Sequence, residues 1–137
     1  MAMVLESPLR YFKVWRAIGV ALVVGAIVVS LMPAPYAFST SHIDKLWHAL
    51  TYACLMFWFV QLFRRKRIWA LALGFVAMGS IIEGLQYLTG YRTAEFADAL
   101  ANTAGVLVGW GLYQTPLGGS LQWLDHQLSR IRSLSNS

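Results

Sequence analysis

Four long apolar runs, joined by short polar connections, dominate the chain. Each run is close to the roughly 20 helical residues that cross the hydrocarbon core of a bilayer. Pro33 follows the first run and Pro116 follows the last, where proline is expected to end a helix. The pattern predicts an all-α protein whose residues 1–116 form an integral membrane bundle of four transmembrane helices. The predicted spans cover residues 14–32, 46–63, 68–88 and 94–113.

The residues after the fourth run, 117–137, follow a different pattern. Leu121, Leu124 and Leu128 recur at helical spacing, and Asp125 stands elsewhere around the helical wheel. This spacing predicts an amphipathic helix that lies on the cytoplasmic surface of the membrane. Docking of the helix onto a partner protein is the alternative.

The composition excludes an ordinary soluble domain. Hydrophobic residues make up 58% of the 137 residues and charged residues only 12%, compared with about 25% charged residues in typical globular domains. The net charge of +5 does not indicate nucleic-acid binding, because the basic residues do not form a groove-binding face. The single cysteine, Cys54, excludes an internal disulfide.

The placement of the basic residues predicts the orientation, since short cytoplasmic loops of membrane proteins are enriched in lysine and arginine. Basic residues precede the first run, fill the connection between the second and third, and follow the fourth. The only basic residues in the other two connections are Lys45 and Arg92. Both termini are therefore predicted to be cytoplasmic. The cytoplasmic set is Arg10, Lys13, Arg16, residues 64–67, Arg130 and Arg132.

Polar residues inside the predicted spans are candidates for function, because an ionisable group at membrane depth is costly and needs a partner. Asp44 and His48 are four residues apart and should lie on one helix face. All the candidates fall in the outer third of the bilayer, so four antiparallel helices would bring them into one pocket at the headgroup level. The predicted ligand-binding residues are Asp44, Lys45, His48, Glu83, Gln86, Arg92, Asp98 and Asn102.

Each of these residues also has a structural interpretation. Gly105 and Gly109, spaced four apart below Asn102, are predicted to allow a close helix contact. Asn102 could bond across helices, and Asp98 could form an ion pair with Arg92 that closes the outer loop. Glu83 is the hardest to explain in this way, because it lies about one helical turn inside its span.

These polar positions together resemble the motifs of the VanZ-like family of small polytopic membrane proteins. The resemblance covers about residues 40 to 110. It implies a multi-pass protein of the bacterial cytoplasmic membrane with a role in the cell envelope. The family is named for a protein associated with low-level teicoplanin resistance, a phenotype that the resemblance does not transfer to this chain. The matching positions are Asp44, Lys45, His48, Tyr52, Glu83, Gln86, Arg92, Asp98, Asn102 and Gly105.

Three functions are consistent with this pattern. The first, which we favour, is binding of a lipid or lipid-linked envelope component, with Lys45 and Arg92 meeting an anionic headgroup. The second is an accessory subunit of a larger membrane assembly. The third is an intramembrane acid–base enzyme with His48, Glu83 or Asp98 as catalytic candidates. Asp44, His48, Glu83 and Asp98 also offer ligands suited to zinc or manganese, but we predict neither a metal nor another cofactor.

Overall fold

The computed structural model describes residues 9–32, 42–63, 67–89 and 96–135. Within these ranges the chain is helical and contains no strand, which confirms the predicted all-α class. Each of the four apolar runs forms one helix. The elements are α1 (Phe12–Leu31), α2 (His42–Leu62), α3 (Ile68–Thr89), α4 (Phe96–Tyr113), a 3₁₀ helix (Pro116–Gly119) and α5 (Ser120–Ser135).

Two of these helices are long and apolar enough to be candidate membrane spans, namely Phe12–Leu31 and Ile68–Leu88. Few residues of either segment are buried within the protein. Helices α2 and α4 are of similar length but carry four buried polar side chains, namely Asp44, His48, Asp98 and Asn102. The count of four spans and the cytoplasmic location of both termini remain predictions.

Aromatic contacts show that α1 and α2 run in opposite directions, and that α3 and α4 do so as well. Phe12, at the start of α1, packs edge-on against Phe63 at the end of α2, with ring centroids 6.3 Å apart. Trp69, at the start of α3, packs against Trp110 near the end of α4, with centroids 5.7 Å apart. The end of α1 and the starts of α2 and α4 therefore lie at the opposite end of the bundle, which we call the polar end.

Helices α2 and α4 form the closest contact in the bundle. A Cβ atom at Gly105 would meet the backbone oxygen of Ala49, and one at Gly109 would meet that of Ala53. The two backbones therefore touch, as small residues at a helix interface allow. Because both pairs advance together along the chain, α2 and α4 run parallel and hold their side chains in a fixed register.

Helix α5 is attached to the bundle at its first turn. The side-chain oxygen of Gln61, at the end of α2, accepts hydrogen bonds from the Leu121 backbone N–H at 2.9 Å and from the Ser120 hydroxyl at 3.1 Å. The bond from Leu121 satisfies one of the backbone N–H donors that a helix start leaves without intrahelical partners. Leu121 itself is only 2% exposed and belongs to the bundle core.

Asp125, in the middle of α5, caps the start of α1. One carboxylate oxygen accepts the Arg10 backbone N–H at 2.7 Å. The other accepts the Tyr11 backbone N–H at 3.0 Å and the Trp15 indole N–H at 2.7 Å. From its position near the predicted membrane boundary, Trp15 would be expected to be an interfacial aromatic. In the structure it is instead a buried hydrogen-bond donor. Asp125 therefore connects α5 to the start of α1. The position of α5 on a membrane surface stays a prediction.

The Asp125 cap should make stability depend on pH at acidic values. Burial alone would raise the pKa of this carboxyl, but the hydrogen bonds from Trp15, Tyr11 and Arg10, with the Arg10 charge, hold its pKa below the ordinary 3.8. A folded-state pKa below the unfolded one stabilises the protein above the unfolded pKa, and this stabilisation is lost as pH falls through the folded value.

We therefore expect the apparent unfolding temperature of the wild type to fall toward that of Asp125→Asn between about pH 5 and pH 2. Thermal unfolding of both proteins in the same detergent, followed by circular dichroism, measures this difference. A difference between the two proteins that stays constant over the whole range would contradict the assignment.

Candidate functional site

Four of the predicted polar residues are buried together at the polar end of the bundle. Asp44 and His48 extend from the first turns of α2, and Asp98 and Asn102 from the first turns of α4. Asp98 is 4% exposed and Asn102 is 2% exposed. They converge because α2 and α4 are parallel and in backbone contact, so residues at equivalent depth face each other. We call these four residues the polar cluster.

Lys45 lies at the rim of the polar cluster. Its ammonium nitrogen is 3.5 Å from Asp98 Oδ1, and its side chain is 25% exposed. Asp98 was expected to pair with Arg92, which lies outside the described residues. The ion pair with Lys45 shows that Asp98 has a cationic neighbour on α2.

The orientation of His48 is set from the opposite helix. Its Nδ1 is 3.0 Å from Asn102 Oδ1. Because an amide oxygen only accepts hydrogen bonds, Nδ1 is the nitrogen that carries the hydrogen and donates. Nε2 then faces Asp44, with 3.8 Å between Nε2 and Asp44 Oδ2. The Asp44–His48 spacing thus places both side chains on one face, as the sequence indicated.

Helix α3 contributes Glu83 to the same region. The amide nitrogen of Asn102 and the hydroxyl of Tyr52 both lie against Gly79, at 2.8 Å and 3.1 Å from where a Cβ would be. Glu83 is one turn further along α3 on the same face. It is buried and close enough to Tyr52 for an electrostatic interaction. The absence of a side chain at Gly79 is what allows α3 to approach the polar cluster.

Gln86 has a different environment from the polar cluster. Its side-chain amide donates a hydrogen bond of 2.6 Å to the backbone oxygen of Ser30, near the end of α1. This bond ties α1 to α3 at the polar end. The sequence analysis placed Gln86 in the pocket. It did not identify Ser30 as a partner, because Gln86 bonds to the backbone oxygen of Ser30, and every residue type has such an oxygen.

The chemistry of the polar cluster is that of a partly compensated acidic site. Two aspartates, one lysine and one histidine of fixed orientation lie within contact range. Asp44, His48 and Asp98 each offer a possible metal-ligand atom, and these three atoms lie within 4.8 Å of one another. The interior of such a site favours a cation, whereas Lys45 at its rim is the described group that can meet an anion.

Comparison with known proteins gives this arrangement a family. The VanZ/LLP1 family model matches residues 3–117. The chain belongs to the VanZ/LLP1 family. The match includes the polar cluster and extends over α1, which the motifs alone did not assign. Membership of the VanZ/LLP1 family, together with the apolar helices, identifies a membrane protein.

No curated protein and no solved structure matches the chain. The function therefore has to be inferred from the polar cluster and its surroundings.

Proposed function

We propose that this VanZ-like protein is a cell-envelope membrane protein that binds the anionic headgroup of a lipid or lipid-linked envelope component at its polar end. The observation that carries the proposal is a buried group of charged residues with Lys45 at its rim. Buried charges in a membrane protein mark binding or transport sites by default, because their cost must be offset by a functional gain. All the described members of the group lie near one end of the bundle.

The surroundings of Lys45 favour an amphiphilic ligand over a soluble anion. Ile43, Leu46 and Trp47 flank it on the first turns of α2, and all three are largely exposed, Trp47 by 61%. A lysine at such a position can extend its ammonium to the interface while its methylene groups stay in apolar surroundings. A phosphate headgroup would meet Lys45, and the acyl or prenyl chain would lie along the apolar surface.

The basic residues of the sequence support an outer-leaflet location for this site. Residues 64–67 stand in the sequence between the end of α2 and the start of α3, both opposite the polar cluster, and Arg130 lies within α5, which begins at that same end. By the positive-inside rule that opposite end is cytoplasmic. The polar end then faces the extracytoplasmic side, where Arg92 would supply a second cation.

Replacement of Lys45 by glutamine tests the proposal. We expect a polyprenyl phosphate to raise the apparent unfolding temperature of the wild type in detergent, and we expect Lys45→Gln to bind it about tenfold more weakly. Loss of one charge-assisted hydrogen bond, worth roughly 1.5–3 kcal/mol, accounts for a change of this size.

The matched control is Lys13→Gln, which removes an exposed lysine near the start of α1, at the other end of the bundle. It should bind the polyprenyl phosphate like the wild type. Equal stabilisation of Lys45→Gln and wild type by the polyprenyl phosphate would contradict the proposal, as would stabilisation of neither.

A further inference from the structure

We propose that Asp44, His48 and Asp98 bind a divalent metal ion of the zinc or manganese type. This inference goes beyond lipid binding, because the ion needs no lipid to be held. It also departs from the expectation from sequence alone, which placed no metal in the protein. The reasons for it lie in the distances, in the orientation of His48 and in the balance of charge.

The separation of His48 from Asp44 suits an intervening ion. At 3.8 Å, Nε2 and Oδ2 are too far apart for a hydrogen bond. Nitrogen and oxygen ligands lie about 2.0–2.2 Å from zinc, so two ligands of one tetrahedral ion are about 3.3–3.6 Å apart, close to the 3.8 Å between Nε2 and Oδ2. The third ligand atom, from Asp98, lies within 4.8 Å of the other two. Three ligand atoms this close to one another surround a single point at which one ion can contact all of them.

Asp98 provides an independent indication that a ligand is bound. Its Oδ1 is buried and accepts no hydrogen bond from the described residues. Its contact with the Lys45 ammonium, at 3.5 Å, is longer than a charge-assisted hydrogen bond of about 2.7–2.9 Å. A buried carboxylate oxygen without a hydrogen bond is costly, and coordination to a cation would stabilise it.

His48 is already oriented as a metal ligand. Its Nδ1–H donates to Asn102, so Nε2, on the side of Asp44, is the ring nitrogen whose lone pair the neutral imidazole would offer to a metal. Metal-bound histidines usually donate their second ring nitrogen in this manner, which fixes both the tautomer and the ring orientation. The backbone contact of Gly105 with Ala49 keeps the ligands of α2 and α4 at a constant separation.

The charge and type of the ligands select the class of ion. Asp44 and Asp98 carry two negative charges when ionised, of which Lys45 balances one. A divalent ion would make the group positive overall and able to attract an anion. Calcium and magnesium prefer ligand sets made of oxygen, whereas an imidazole with carboxylates suits zinc or manganese.

Metal titration of the purified protein tests the inference. The protein in detergent is treated with a chelator, dialysed and titrated with Zn²⁺ and with Mn²⁺ by calorimetry, without added lipid. We expect one ion per chain, and at least about tenfold weaker binding in His48→Gln, Asp44→Asn and Asp98→Asn. Asn102→Ala, which removes the partner of His48, should also weaken binding.

A control variant separates this site from adventitious binding. His126→Gln removes an exposed histidine of α5, far from the three proposed ligands. It should bind the ion like the wild type. Circular dichroism without metal checks that each variant is folded. Wild-type binding in a folded His48→Gln protein would overturn the inference, as would the absence of a saturable site in the wild type.

The lipid proposal and the metal inference fail separately. Ion binding is measured without lipid, and polyprenyl phosphate binding is repeated with chelator present. If the protein binds the polyprenyl phosphate but shows no saturable ion site, the metal inference alone is overturned. A normal ion site in a protein that gains no stability from the lipid would overturn the lipid proposal alone.

Discussion

Asp125→Ala is expected to lower the stability of the protein by about 3 kcal/mol or more, because three buried or partly buried donors lose a charged acceptor at once. The donors are the backbone N–H groups of Arg10 and Tyr11 and the indole of Trp15. The carboxylate also lies at the start of α1, where the helix dipole favours negative charge. Among the described residues, no other acceptor forms a hydrogen bond with these three donors.

The loss should appear as a fall of roughly 10 °C in the apparent unfolding temperature. Asp125→Asn should be intermediate, because an amide oxygen in the Oδ1 position keeps the bonds from Tyr11 and Trp15 but loses the one from Arg10. His126→Ala, at the exposed neighbouring position, is the control and should leave the unfolding temperature unchanged. A destabilisation by Asp125→Ala no larger than that of His126→Ala would falsify the capping role.

A second large effect is expected at the contact between α2 and α4. Gly105→Ala places a Cβ against the backbone oxygen of Ala49, and a backbone group cannot move aside as a side chain can. Overpacking of a fitted interface costs about 1–3 kcal/mol, and a rigid backbone contact places the cost at the upper end. The helices should separate, which also moves His48 away from Asn102.

Gly111→Ala is the matched control in the same helix. A Cβ at Gly111 meets nothing within 4 Å, so alanine should leave stability unchanged or raise it by up to about 1 kcal/mol through helix propensity. The two variants are compared by thermal unfolding in one detergent. Similar unfolding temperatures for Gly105→Ala and Gly111→Ala would contradict the close approach of α2 and α4.

The helices could be predicted from the sequence because their signal is local. The apolar runs, the proline after the fourth and the breaks between them depend on neighbouring residues only, and each run forms one helix. The spacing of Gly105 and Gly109 likewise indicated that α4 makes a close contact with another helix. It did not reveal the partner, since the facing residues, Ala49 and Ala53, are ordinary in an apolar helix.

The candidate site could be predicted in part. Asp44 and His48 share a face because of a spacing of four within one helix, which the sequence contains. The ion pair of Asp98 with Lys45 and the bond from His48 to Asn102 join residues more than 50 positions apart in the chain. Such pairings depend on the register of two helices, and a single sequence does not contain that register.

Asp125 shows the same limit at the other end of the bundle. In the sequence it is one polar residue at the edge of the apolar face of an amphipathic helix, four positions after Leu121, and nothing nearby marks it as a cap. Its partner Trp15 is 110 residues away, so only the folded chain brings the indole to the carboxylate.

The sequence by itself determined that this protein is helical, which stretch of the chain forms each of the four apolar helices to within about four residues, and which polar residues within those stretches need an explanation. These properties follow from residue type and helical period, which act over a few neighbouring positions. The tertiary structure decided that Lys45 pairs with Asp98 and that Asn102 orients His48. It also decided that Asp125 of α5 caps the start of α1. Those contacts depend on how whole helices pack, and packing is set by all of their surfaces together.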